Sequence, residues 1–198
     1  MNSIFIGRFQ PLHKGHVEII NSMENPIVVL VSGNKTKDNK KRNPFPVSYQ
    51  KELFGRLFPH TLLTVSPNGF VPGIIGYLQK QGYQIVSLYC GEDRFESYRQ
   101  SIQHKYTIEI IKTPRIISST QIRESIINED RKTFEYNMPR KLWEEWDTMK
   151  TLLTFKDWMS EEETVASDIA IKDVPLFKKK KKNREEKDET SKNNNDNL

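Results

Sequence analysis

The chain of 198 residues has a single cysteine, Cys90, which excludes an internal disulfide framework and a cysteine-held zinc site. Cys90 ends an apolar strand pattern and reads as small buried filler. Long apolar runs are missing as well: Asn2, Arg8 and Gln10 interrupt the first residues, and no window reaches the length of a membrane span. The expectation is a soluble, cytoplasmic protein with no membrane partner. Apolar residues almost vanish from residue 177 onward, where FKKKKKNREEKDETSKNNNDNL cannot bury enough surface to offset its own ordering entropy. From Lys178 that tail holds eight Lys or Arg against five Asp or Glu, so it carries +3 of the net charge of +5. The basic balance is therefore largely a property of the tail and says little about what the globular part binds. A lysine run without interleaved aromatics reads as solubilising, which disfavours nucleic acid as a partner. The expected organisation is one domain over residues 1–155, a linker or peripheral segment over 156–176 and a disordered charged tail over 177–198.

Short apolar runs alternate with helix-like segments, the pattern of βα units around a parallel sheet. Strands are expected at residues 3–6, 27–31, 62–65, 84–89 and 107–111, and helices at 16–23, 47–58, 73–81, 95–103, 119–128 and 139–153. The fold class is α/β, a Rossmann-like parallel sheet with helices on both faces. Leu142, Trp143, Trp146, Met149 and Leu153 recur at helical spacing and read as packing surface.

Three loops at the carboxyl ends of strands carry the chemistry, because ligands of open parallel sheets bind outside those ends. GRFQPLHKGH follows strand one, GNKTKDNKKRNPFP follows strand two, and PRIISSTQIR follows strand five. Each joins glycine or hydroxyl residues to fixed cations, which describes a polyphosphate site. In the third loop Ser118, Ser119 and Thr120 stand where a helix begins and Arg123 follows one turn later, so free backbone N–H groups, hydroxyls and the helix dipole favour an anion. An ordinary serine cap with a solvated arginine explains that loop alone equally well. In the first loop His13 and His16 flank Gly15 beside a helix start. Three readings compete for the pair. A metal pair lacks a further cysteine or carboxylate cluster to complete its ligands, and no metal site is expected. A structural pair would bond to backbone. The third reading, in which both imidazoles donate to phosphate oxygens during displacement at phosphorus, is the one that uses all three loops.

GRFQPLHKGH, NPFP and ISSTQIR together resemble the signature set of the HxGH nucleotidyltransferase superfamily, and look most like the archaeal-type nicotinamide mononucleotide adenylyltransferases. Small phage-encoded nucleotidyltransferases look similar, and the abundant Lys and Asn would suit such a source, with the host cytoplasm as its location. The resemblance covers residues 1–153. It implies attack by an acceptor phosphate oxygen on the α-phosphorus of a nucleoside triphosphate, most simply ATP with nicotinamide mononucleotide, giving NAD and pyrophosphate. It also implies that His13, His16 and Arg123 serve the transferred phosphates. Arg8 and Gln10 would line the phosphate and acceptor region, and Ser118, Ser119 and Thr120 would cradle the β- and γ-phosphates. Gly7 and Phe9 would offer backbone to the nucleotide. Mg²⁺ would arrive bound through the triphosphate. A homo-oligomer is left open.

Two stretches depart from that pattern. The resembled family follows NPF with a Thr and then a Glu-Arg pair, whereas PVSYQ places Gln50 where the arginine falls; Lys41 or Arg42 would replace the cation. CGEDR at residues 90–94 resembles a Gly-x-Asp segment beside the nucleotide, which assigns Gly91 and Asp93 to nucleotide binding or leaves Asp93 and Arg94 a surface pair. The alternatives are a cytidylyltransferase or a pantetheine-phosphate-type adenylyltransferase, which share the phosphate machinery, and a non-catalytic nucleotide- or nucleic-acid-binding module.

Overall fold

Apolar runs such as Ile4-Phe5-Ile6 and Ile27-Val28-Val29-Leu30 do not alternate with polar residues, and strands of that kind need cover on both faces. The computed structural model, which describes residues 1–32 and 43–154, provides it. The elements are β1 (Asn2–Gly7), α1 (Lys14–Ser22), β2 (Pro26–Val31), α2 (Val47–Leu57), β3 (Leu62–Ser66), α3 (Val71–Lys80), β4 (Ile85–Gly91), α4 (Glu92–Ile102) and β5 (Glu109–Thr113). α5 (Ser119–Ile127), α6 (Arg131–Asn137), a 3-10 turn (Arg140–Glu145) and α7 (Trp146–Thr154) complete the described chain. Expectations placed on residues 33–42, with Lys41 and Arg42, and on segments 156–176 and 177–198 lie outside the described residues.

The five strands are all parallel and stand in the order β3-β2-β1-β4-β5. Successive side chains point to opposite faces. Ile4, Ile6, Ile27 and Val29 therefore pack with Ile74, Ile75 and Leu78 of α3, while Phe5, Val28 and Leu30 pack with Ile20 of α1 and Phe54 of α2. The chain winds from β1 out to β3 and then crosses to the other side of β1 as β4. This reversal opens a crevice beyond the carboxyl ends of β1 and β4.

Three departures from expectation have their cause in single side-chain contacts. The single helix expected over 139–153 is split, because Trp143 Nε1 turns back to donate to the carbonyls of Glu135 (3.0 Å) and Met138 (3.1 Å) and the chain first makes a 3-10 turn. α6 was not expected; Asp130 caps it by accepting from the Thr133 N–H at 3.0 Å. β5 begins two residues later than expected, since Tyr106 is held before it by donating to the Pro72 carbonyl at 3.0 Å.

α5 to α7 bury Ile122, Ile126, Phe134, Met138, Leu142, Trp146 and Met149 against Phe45 and Leu53. A polar clasp pins the same face to α2. Glu145, 6 % exposed, accepts from Tyr49 Oη at 2.7 Å and pairs with Arg56 at 2.5 Å, which also reaches Glu52 and Glu144. Burial and the Glu145 carboxylate push the Tyr49 hydroxyl far above its usual range. Removing the buried Glu145 carboxylate leaves the Tyr49 hydroxyl without its acceptor, whereas the exposed Arg56 keeps Glu52 and Glu144, so Glu145→Ala should lower the unfolding free energy by about 1–3 kcal/mol in urea titrations. A loss within measurement error would show that the clasp contributes no stability.

Candidate functional site

At the end of β1 the chain turns sharply, and Gly7 makes the turn possible. A Cβ at Gly7 would sit 2.8 Å from Phe9 Cζ, so the space beside Gly7 belongs to the Phe9 ring. Phe9 takes a left-handed φ of 49° and buries its ring edge-on against Phe5, His16 and Phe54, at centroid distances of 5.4, 5.0 and 5.3 Å. With a side chain 2 % exposed, what Phe9 can offer the cleft is backbone. The turn delivers His13 as the N-cap of α1, which starts at Lys14, two residues before the start expected at His16. Gly15 makes room for it, since a Cβ there would lie 3.3 Å from the His13 ring.

The two imidazoles stack at a centroid distance of 3.6 Å and 20° between planes. His13 Nδ1 accepts the His16 N–H at 3.4 Å, so the neutral ring carries its proton on Nε2. Burial, helped by the Arg115 charge, lowers the His13 pKa to about 4. Burial, the neighbouring His13 and Arg115 also hold His16 well below its ordinary value. His16 Nδ1 is buried without a hydrogen-bond partner. Both rings are therefore neutral donors at pH 7.

The α5 N-terminus faces this pair, and its three hydroxyls have separate tasks. Ser118 forms a capping box with Gln121: its Oγ accepts the Gln121 N–H at 3.2 Å and its own N–H donates to Gln121 Oε1 at 3.0 Å. Ser119 Oγ donates to the Pro11 carbonyl at 3.1 Å, tying α5 to the histidine loop. Thr120 Oγ1 accepts from Arg123 Nη2 at 3.2 Å. Arg123 also donates through Nη1 to the Gln10 carbonyl at 2.5 Å. Burial first, and then the nearby Arg8 charge, lower the Arg123 pKa.

These groups line one cleft of about 710 Å³, with Arg8, His13, His16, Arg115, Ser118 and Arg123 on its walls. Gly91 and Asp93 lie on the β4 side, where Asp93 pairs with Arg94 at 3.7 Å, both well exposed. Gln10 borders the cleft, where the sequence places it, but its carboxamide is turned inward: both polar atoms of that group engage the Phe45 backbone, and the residue is 4 % exposed. Gln50, which stands where the resembled family has an arginine, is likewise buried and donates to the Phe45 carbonyl at 3.0 Å, a supporting role. Lys14 turns away from the cleft, donating to the carbonyls of Glu135 and Tyr136 at the end of α6. Arg115 was missed as a site residue. Its only signal in the sequence was its place in the loop that follows β5.

Residues 4–125 match the Cytidylyltransferase-like family. The chain belongs to that family. Proteins similar to it include the nicotinamide-nucleotide adenylyltransferase of Methanococcus aeolicus, 23% identical over 137 residues, or 66% of this chain and 80% of the relative. The Pyrococcus furiosus nicotinamide-nucleotide adenylyltransferase is 22% identical over 135 residues, 63% of this chain and 72% of the relative. Among solved structures, a Vibrio parahaemolyticus protein described as a nicotinate-nucleotide adenylyltransferase shares the fold with TM-score 0.50 and 17% identity, covering 76% of this chain and 96% of that one. The NadR protein crystallised with NR does so with TM-score 0.51 and 18% identity, over 71% of this chain and 44% of that one. Among the described residues of this Cytidylyltransferase-like member, no helix is long and apolar enough to cross a membrane, and no group of three or more His, Cys, Asp or Glu is placed to hold a metal.

The depressed histidines make stability depend on pH. In the unfolded chain both titrate near 6.5, whereas folded His13 titrates near 4. Between those values the unfolded state binds more protons, so stability is full above pH 6.5 and is lost as pH falls toward 4. The slope attributable to His13 is up to about 1.4 kcal/mol per pH unit. Urea titrations from pH 7.5 to 4.5 should show this slope in the wild type and a shallower one in His13→Asn, which keeps a capping side chain. Identical slopes in the two proteins would show that His13 is not held neutral.

Proposed function

We propose that this protein is a nucleotidyltransferase that moves AMP from ATP to nicotinamide mononucleotide, forming NAD and pyrophosphate. The observation that carries the proposal is the cleft itself: two stacked, neutral imidazoles beside three guanidiniums, those of Arg8, Arg115 and Arg123, at the reversal point of the sheet. The curated relatives support the choice of acceptor, since those named above are nicotinamide-nucleotide adenylyltransferases.

A phosphate oxygen of the acceptor attacks the α-phosphorus, the bond to the bridging oxygen breaks, and that oxygen leaves on pyrophosphate. The attacking group is already an anion, so no protein base is required and the chain's contribution is positioning and charge stabilisation. His13 donates from Nε2 to a phosphate oxygen as negative charge shifts toward the leaving group, and His16 stacks against it in the same role. Arg123 and Arg8 grip the triphosphate, the α5 N-terminus with Ser118, Ser119 and Thr120 completes the anion cradle, and Arg115 offsets its charge. Gly7, Phe9, Gly91 and Asp93 border the nucleotide. Lys41 and Arg42 are further candidates for the phosphates.

The donor set fits a triphosphate that brings its own cation, because Asp93 is the one carboxylate among the described residues that line the cleft, and it pairs with its neighbour Arg94. Mg²⁺ bound to the phosphates would neutralise part of their charge, and water would supply most of its other ligands.

Pyrophosphate release with Mg²⁺ should be fastest for ATP with nicotinamide mononucleotide, in a panel that also holds CTP, nicotinic acid mononucleotide and phosphopantetheine. His13→Ala and His16→Ala should each lower kcat by roughly 10²-fold or more, with a smaller change in the KM for ATP. Full turnover in either variant, or a clear preference for another acceptor, would refute the assignment.

A further inference from the structure

The carboxamide of Gln10 is spent inside the protein. Its Nε2 donates to the Phe45 carbonyl at 3.0 Å, and its Oε1 accepts the Phe45 N–H at 2.9 Å. This reciprocal pair fixes the side chain and, through it, the backbone of residue 10 against the segment leading into α2. The main-chain carbonyl of the same residue faces the other way and accepts Arg123 Nη1. One residue later the Pro11 carbonyl accepts Ser119 Oγ. Gln10 thus joins the loops after β1, β2 and β5, and two residues beyond Pro11 the chain reaches His13.

Arg123 needs such an anchor. Its guanidinium is partly buried and stands close to the like charge of Arg8, and both conditions oppose holding it at the cleft wall. A carbonyl oxygen held rigidly in place offsets part of that cost with a charge-assisted hydrogen bond. A carbonyl free to swing would let the guanidinium relax toward solvent.

We infer that Gln10 is a positioning residue: by locking its backbone to Phe45 it presents its carbonyl to Arg123, and it acts on a bound triphosphate only through that arginine. The inference rests on the reading of the cleft as a triphosphate site and adds a role for a side chain that touches no ligand.

The test is a double-mutant cycle read by calorimetric binding of inorganic tripolyphosphate, which depends on neither nucleobase nor acceptor. Arg123→Ala should weaken binding by roughly tenfold or more, and Gln10→Met by about three- to tenfold, as expected for losing or loosening one charge-assisted contact. The double variant should bind like Arg123→Ala within about twofold, because the two residues form one unit. Multiplying effects would overturn the inference, since Gln10 would then act independently of Arg123. Gln50→Met is the control: it removes the other side-chain donor to the Phe45 carbonyl and should lower the thermal midpoint while leaving tripolyphosphate affinity unchanged. An equal loss of affinity in Gln50→Met would reduce Gln10 to general support and also overturn it. Should Gln10→Met not fold, Gln10→Asn carries the same cycle, and failure of both to fold assigns Gln10 to stability alone. Wild type that binds tripolyphosphate but does not turn over nicotinamide mononucleotide would refute the acceptor and leave the cycle valid. Turnover with multiplying effects would refute this inference alone. Wild type that does not bind tripolyphosphate would overturn both.

Discussion

The turn that ends β1 is the constraint on which the site depends. A buried Phe9 ring occupies the space a side chain at Gly7 would need, and this reverses the chain at the carboxyl edge of the sheet. From that reversal α1 starts at Lys14 with His13 as its cap, and the helical spacing of three residues lays His16 against it. The histidine that reads as a chemical group in the sequence is also the group that begins the helix. Its capping bond sets the tautomer, and burial keeps it uncharged.

Electrostatics divides the work in the cleft. The permanent charges are guanidiniums, which do not lose protons at any working pH, and the donors nearest the helix start are neutral imidazoles. An anion gains charge complementarity from Arg8, Arg115 and Arg123 and directional donors from His13 and the α5 N-terminus. A neutral N–H donor strengthens as negative charge grows on its acceptor without holding the ground-state anion as tightly as a cation would, which suits displacement at phosphorus.

Much of this was legible in the sequence because the signals were local. Unalternated apolar runs marked β1 and β2, Ser118 marked the start of α5, and two histidines around a glycine marked the cleft. What was not legible depended on contacts between loops distant in sequence. Gln10 does border the cleft, but that its carboxamide is used by Phe45, 35 positions away, could not be read from the sequence. Lys14 sits in the middle of the phosphate motif, yet it serves the end of α6, more than 120 residues on. Trp143 fits a continuous helix by spacing, and the break before Trp146 arises because its indole N–H finds carbonyls behind it. Arg115 was hidden for a different reason: an isolated arginine in a loop acquires meaning from the charges it faces.

The central claim is that His13 stands in the cleft as a neutral donor with its proton on Nε2, and that a polyphosphate meets that proton. Two-bond ¹⁵N–¹H spectra of the imidazole side chains at pH 7, with and without Mg²⁺ and ATP, test it directly. The account predicts a His13 with unprotonated Nδ1 and protonated Nε2, whose Nε2 signals move on addition of nucleotide. A doubly protonated His13 at pH 7, or His13 signals that stay unchanged with saturating nucleotide, would contradict it.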